Sequence, residues 1–322
     1  MDKKIVGMIS SYHALEPCPI DWLWHQTPHH YGVWGNIQMM GSAPKPDFLL
    51  LYNFHEFENS NPHKGQFRGL LSQFRKQPQP IKPNIQTRLR GVPQERIIAL
   101  VREPPFQKMQ QKRIKIYQQA QKYCGYISGP DEFAPTPDYM PAIWYHNNSF
   151  RELNEMGIPE KNRFCCWVTS GIARTENHRQ RLGFLQLLRE SDLEFDLYGR
   201  DLPDWAGAYG KVGNKWNVMA PYYYNLAIEN YAENEWYVSE KLWDALLAWC
   251  LPIYYGGPAA DKLLPPGSFL RLPSRDEKGI AYLKEVTATP DAWQEAKEAI
   301  AEARQIILHE LNLLNWLSKF VG

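Results

Sequence analysis

Short apolar runs closed by turn residues alternate along this chain with stretches whose apolar positions recur every three to four residues. The first kind reads as strands, the second as helices, and their alternation predicts parallel sheets flanked by helices. In the first half the strands fall at residues 5–9, 48–52, 97–101 and 126–128, with helices at 64–76 and 107–123. Pro78, Pro80, Pro83 and Pro93 interrupt both periods, which predicts an irregular loop over 77–94. A second proline-rich loop is expected over 129–141. In the second half, strands at 164–169, 195–198, 222–228 and 251–255 alternate with helices at 177–189 and 240–249. Between 147 and 162 polar residues replace both patterns. The expectation is therefore two domains, residues 1–155 and 156–322, facing each other across a central cleft. The final stretch, 290–320, has apolar positions at helical spacing, among them Ile300, Ala303, Ile307 and Leu311, and is expected to pack back across both domains.

Composition narrows the function classes. Lys and Arg number 36 and Asp and Glu 35, so no net field draws the chain to nucleic acid or to a membrane surface. No apolar run reaches the length of a membrane span and no secretory signal is read at the start, which makes a soluble, cytoplasmic protein the expectation. The five cysteines lack metal or redox spacing. Cys165 and Cys166, adjacent in a strand, should point to opposite faces as buried thiols. Twelve tryptophans exceed ordinary core needs and suit stacking on sugar or base faces, although most must be packing.

Chemistry concentrates in residues 224–269. Ligands of open parallel sheets bind beyond the carboxyl ends of strands, so the loop 229–239 faces the cleft. Ser239 is a good N-cap, which puts Glu240 and Lys241 in the first helical turn. A lysine there opposes the helix dipole unless an anion sits nearby, and a diphosphate would supply one. The plain alternative is that Lys241 pairs with Glu240, Glu235 or water.

The ordered elements Ile228-Glu229-Asn230, Tyr237-Val238-Ser239-Glu240-Lys241, Pro252-Ile253, Gly256-Gly257-Pro258 and Ser268-Phe269 resemble the donor motif of the fucosyltransferases of glycosyltransferase family 10. Ile228 departs from that motif by replacing an aromatic. The resemblance implies the GT-B fold, two Rossmann-like domains with the acceptor domain first and the donor domain second, in a bacterial-type soluble member. It implies an inverting transfer of L-fucose from GDP-fucose to a hydroxyl of an oligosaccharide or glycoconjugate containing N-acetylglucosamine, in α-1,3 or α-1,4 linkage. By the same resemblance Lys241 holds a phosphate, Glu240 bonds sugar hydroxyls, and Glu229, Asn230 and Tyr237 complete the donor pocket. Upstream, Arg181 matches the family's phosphate-binding arginine, with Arg174 and Arg179 as competitors. Tyr198-Gly199-Arg200 resembles the family's Tyr-Gly step.

Inverting transfer needs one carboxylate as base. Glu103 follows the strand 97–101 at its carboxyl edge, with Pro104 and Pro105 fixing the backbone after it, and Arg102-Glu103-Pro104-Pro105-Phe106 is similar to the family's base segment. A glutamate merely paired with Arg102 is the alternative. The aromatic stretch 22–34 offers Trp24, Tyr31 and Trp34 as an acceptor platform. His25, His29 and His30 lie there without a carboxylate and are not expected to bind a metal. No Asp-x-Asp pair of the kind used by metal-dependent transferases is read. The expectation is catalysis with no required cofactor, leaving room for a stimulating divalent cation.

Overall fold

The computed structural model describes residues 2–11, 23–57 and 84–322. The helix expected at 64–76 and residues 77–83 of the proline loop lie outside the described residues; the rest of that loop, expected to be irregular, holds a one-turn helix at Ile85–Arg88 capped by Asn84.

Among the described residues the chain builds two sheets. The first runs in the order β2-β3-β1-β4-β5-β6-β7, with β1 Lys4–Ser10, β2 Val33–Trp34, β3 Ile37–Met39, β4 Phe48–Tyr52, β5 Ile97–Leu100, β6 Tyr126–Gly129 and β7 Thr136–Pro137. Only the β2–β3 pair is antiparallel. The second sheet is parallel throughout, in the order β12-β11-β10-β8-β9, with β8 Arg163–Ser170, β9 Asp196–Arg200, β10 Tyr222–Ile228, β11 Leu251–Tyr255 and β12 Leu270–Arg271. Their central strands are buried on both faces, which is why they read as continuous apolar runs rather than alternating ones. This is the GT-B arrangement, two Rossmann-like domains around one cleft. Cys165 and Cys166 do face opposite sides of β8 and enter separate cores.

Several features depart from the sequence reading. The tract 147–162 holds a helix, Phe150–Glu155, fixed by a capping box in which Ser149 and Glu152 each bond the other's backbone. Phe150 and Leu153 lie in the core of the second domain beside Leu185. So short a helix offers too few apolar positions for a visible period. The hairpin β2–β3 was too brief to register, and a helix at Glu277–Thr287 was missed altogether. The stretch 290–320 is not continuous: Asp291–Gln305 runs into a π turn at Ile306–Glu310, and a new helix, Leu313–Val321, begins after Asn312.

That break carries the chain across the domains. Asn312 adopts an extended backbone and its side chain caps Leu314 N at 2.8 Å, while its amide donates to Gln26 O. Leu313, Leu314 and Leu317 then join Val6, Met8 and Ile37 in the core of the first domain. Burying three leucines contributes roughly 1.5 to 3 kcal/mol each, which ties the two halves together. Further links span the cleft: Asn234 donates to Pro130 O at 2.7 Å, and Trp236 packs on Tyr139.

Candidate active site

In an open parallel sheet the ligand crevice lies where strand order reverses. In the second sheet that point falls between β8 and β10, whose ends deliver Ser170 and the loop from Glu229. Arg181, from the helix Glu176–Glu190, closes it. Its guanidinium donates to Asn230 Oδ1 at 2.8 Å and to Ser170 O at 2.7 Å, and the residue is 3 % exposed. Burial lowers its pKa to about 10, with Arg275 adding to the effect, so it remains a cation at neutral pH. Arg174 and Arg179 do not reach this point: both are exposed, and Arg179 is occupied by Glu176.

The loop that follows is built around Glu229, which is fully buried. Its carboxylate accepts from Ser239 N at 2.9 Å, Ser239 Oγ at 2.8 Å and Lys241 Nζ at 3.0 Å. Glu229 therefore organises the loop and the helix start rather than meeting a ligand. Ser239 caps the helix Glu240–Leu247, as expected. Lys241 Nζ also lies 3.6 Å from Glu240. Burial works against its charge, but Glu229 and Glu240 outweigh it and raise its pKa above the ordinary lysine value. The pairing with Glu240 anticipated from the sequence is real, and Glu229 supplies a stronger partner still.

Glu240 is held ionised. Burial opposes its charge, yet Lys241, Lys215 and Arg102 together bring its pKa down to about 2. Lys215 is itself 2.7 Å from Asp244. Across the cleft, Glu103 follows β5 and its side chain opens onto the same cavity, of about 620 Å³. Glu103 is solvent-exposed at the cavity edge, yet the walls around it partly desolvate its carboxylate and raise its pKa above the ordinary glutamate value, with Arg113 and Lys241 pulling it down and Glu240 pushing it up. A carboxylate whose pKa is raised is a better proton acceptor at neutral pH than one at the ordinary glutamate value. Glu103 thus shares one cavity with Arg181, Asn230, Tyr237, Glu240 and Lys241.

Trp24, Tyr31 and Trp34 are not in that cavity. Trp24 donates to Met39 O at 2.6 Å, Trp34 packs edge-on against Phe150, and both help cover the core of the first domain. Tyr31 is 69 % exposed and borders neither the cleft nor the chambers beside it. Of the three, only Trp34 packs against the cores of both halves. Among the described residues no cluster of three or more His, Cys, Asp or Glu side chains has a metal-binding arrangement. No helix among them is long and apolar enough to cross a membrane.

Residues 158–296 match the family model described as glycosyltransferase family 10 (fucosyltransferase), C-terminal part. The matched segment is a little under half of the chain and takes in the whole second sheet. It contains Arg181, Glu229, Asn230, Tyr237, Glu240 and Lys241, whereas Glu103 lies outside it. Over 169 residues the chain is 29 % identical to 4-galactosyl-N-acetylglucosaminide 3-alpha-L-fucosyltransferase of Gorilla gorilla gorilla, covering 50 % of this chain and 42 % of the relative. It is 38 % identical over 80 residues to GDP-fucose protein O-fucosyltransferase 3 of Gallus gallus, covering 23 % of this chain and 17 % of that one. The chain spans less than half the length of these curated relatives. Among solved structures, an alpha1,3-fucosyltransferase is similar with a TM-score of 0.42 and 19 % identity, covering 92 % of this chain and 81 % of that one.

Several cavity residues escaped the sequence reading. Tyr52, Arg102 and Tyr145 form the wall facing the segment that matches the family model, and Lys215 and Lys211 come from the segment after β9. Arg102 does not pair with Glu103. It is buried, and although burial disfavours its charge, Tyr52, Tyr145 and Glu240 raise its pKa. Asn53 was visible only as a strand end; it sits at φ 49° and its Oδ1 accepts from Arg102 N, which turns the chain after β5 toward the cleft. Gly199 has φ 147°, and a Cβ there would stand 1.6 Å from Thr169 O, so only glycine lets this wall close.

Proposed function

We propose that the protein is an inverting fucosyltransferase that moves L-fucose from GDP-fucose to a hydroxyl of an N-acetylglucosamine-containing acceptor, in α-1,3 or α-1,4 linkage. The observation that carries this reading is one cavity holding an upward-tuned carboxylate, Glu103, opposite the cations Lys241 and Arg181 of the segment that matches the family model. The names of the relatives support the sugar and the acceptor class.

The chemistry follows from those charges. The acceptor hydroxyl oxygen attacks the anomeric carbon of fucose as the bond from that carbon to the diphosphate oxygen breaks. Glu103 takes the hydroxyl proton, and the electron pair of the broken bond leaves on GDP. Lys241 and Arg181 stabilise the charge that develops on the diphosphate, an electrostatic contribution that grows toward the transition state. Glu240, held ionised, accepts hydrogen bonds from sugar hydroxyls. Fixed protein cations suffice for the leaving group, so we propose that no metal is required and that the protein works in the cytoplasm.

The test is incubation with GDP-fucose over a glycan array, in buffer with and without a chelator. Fucose should appear on N-acetylglucosamine-containing glycans under both conditions. Transfer only from another nucleotide sugar would refute the donor assignment, and GDP binding without any transfer would make the protein a binding module.

A further inference from the structure

A second chamber, of about 330 Å³, adjoins the main cavity and shares Asn53, Glu103, Pro104, Phe106 and His178 with it. Phe106 stands at the junction, edge-on to His178 and to Tyr231. A ligand that extends from the first chamber into the second must pass Glu103. No donor residue lines the second chamber, so this is the direction in which a molecule presenting a hydroxyl to Glu103 can extend.

Its lining is of two kinds. Phe54, Phe106, Met109 and Ile116 are apolar, and Met109 is 40 % exposed. Lys112, Arg113 and Arg174 are basic, and Glu103 is the single carboxylate among its lining residues. The asymmetry extends along the wall: residues 107–122 carry Lys108, Lys112, Arg113, Lys115 and Lys122 with no Asp or Glu, in a chain whose net charge is only +1. Arg113 is already engaged, by Asp131 and by the carbonyls of Glu103 and Pro104. The carboxylates of neighbouring elements are committed too, Asp131 to Arg113 and Glu176 to Arg179. Lys112 and Arg174 are left facing the chamber without an acidic partner among the described residues. The positive field is felt at the junction, where His178 has its pKa lowered by burial and then by Arg181, Lys241 and Arg174.

We propose that the second chamber is the acceptor subsite and that the acceptor it takes is an anionic saccharide. A sugar face lies against Phe106, Met109 and Ile116, and a carboxylate, sulfate or phosphate group meets Lys112 and Arg174. Sugar faces and apolar side chains match in size and shape, while the charge pair steers the acceptor and fixes its orientation over Glu103. The proposal rests on the fucosyltransferase reading for the word acceptor, but the anion preference is a property of the chamber itself.

The experiment is titration calorimetry of the full chain with four disaccharides of one shape. These are N-acetyllactosamine, its counterpart with the terminal 6-hydroxymethyl oxidised to a carboxylate, and its 6-sulfate and 6-phosphate esters. GDP binding is measured first, because its absence would sink the fucosyltransferase reading independently; the disaccharides are then compared with and without GDP. At least one anionic form should bind about tenfold tighter than the neutral one, the size of one charge-assisted contact. The ratio should collapse to within about twofold in Lys112→Ala/Arg174→Ala and fall with added salt. Carboxylate, sulfate and phosphate forms separate the sources of the anion. Equal affinity for all four, binding of none, or a ratio unchanged in the double variant would overturn the assignment.

Discussion

Arg113 donates through one guanidinium nitrogen to the main-chain carbonyl of Glu103 at 2.8 Å and to that of Pro104 at 2.9 Å. The proposed base therefore stands on a backbone pinned from below. Arg113 is in turn held 3.5 Å from Asp131, which also accepts from the Tyr117 hydroxyl. Arg113→Met should reduce turnover by about tenfold or more, since a shift of the base by a fraction of an ångström disturbs proton transfer. The same charge holds the Glu103 pKa down, so its loss should move the acid limb of the pH–rate profile upward. Arg113→Lys should return the limb to its place without restoring full turnover, because an ammonium cannot reproduce the fork. Identical limbs in all three proteins would remove Arg113 from the account.

Glu103→Gln should abolish transfer while leaving GDP affinity nearly intact, because a positioned general base is commonly worth about 10²- to 10⁴-fold in rate. The sign of the pH dependence is set by the raised pKa: the base must be ionised, so activity falls as pH drops through a value above the ordinary 4.5 of a glutamate. Turnover and GDP affinity measured side by side for Glu103→Gln and Glu240→Gln separate base from donor contact. Turnover of Glu103→Gln within a few fold of the parent would mean that the proton goes elsewhere.

Lys241 serves two masters, and they can be separated. Its ammonium neutralises the buried Glu229 and faces the cavity that would hold the diphosphate. Lys241→Met leaves Glu229 charged and buried with only the Ser239 bonds, a loss of about 3 to 5 kcal/mol for a broken buried pair, somewhat less here because Lys241 is partly exposed. Adding Glu229→Gln should recover much of that stability, since the amide still accepts from Ser239. GDP affinity should stay weak in the double variant. Calorimetry and thermal melting on the three proteins decide it: GDP affinity restored together with stability would make Lys241 purely structural.

The layout was legible because parallel strands buried on both faces announce themselves as apolar runs, and β10 and β11 begin and end where the sequence placed them. Ser239 as a cap and Glu103 at a strand end were readable for the same reason: each follows from one local rule. What escaped depended on distance in sequence. Glu229 looked like a ligand contact because nothing local reveals that Ser239 and Lys241, ten and twelve residues on, fold over its carboxylate. Trp24 and Trp34 looked like a platform, but their burial depends on Met39 and Phe150, which no short-range pattern brings to them. Arg102 was read as a neighbour of Glu103, whereas consecutive residues at a strand end diverge and its charge is shared with Tyr52, Tyr145 and Glu240.

Glu240 makes the last prediction, one of stability against pH. Its ordinary pKa of 4.5 is brought to about 2 in the folded protein, because Lys241, Lys215 and Arg102 outweigh the cost of burial. A depressed folded pKa means that between those two values the unfolded chain binds a proton that the folded chain does not. The stability from Glu240 is then fully present above its ordinary pKa and is lost as pH falls toward about 2. Glu240→Gln should accordingly be less stable than the parent near neutral pH, with three cations left short of a counter-charge, and the gap should narrow steadily as the solution is acidified. Urea midpoints of parent and variant at a series of pH values from about 7 to about 3 read the gap directly. A gap that stays constant across the series would show that Glu240 contributes through packing alone, and that its charge is not what the three cations hold in place.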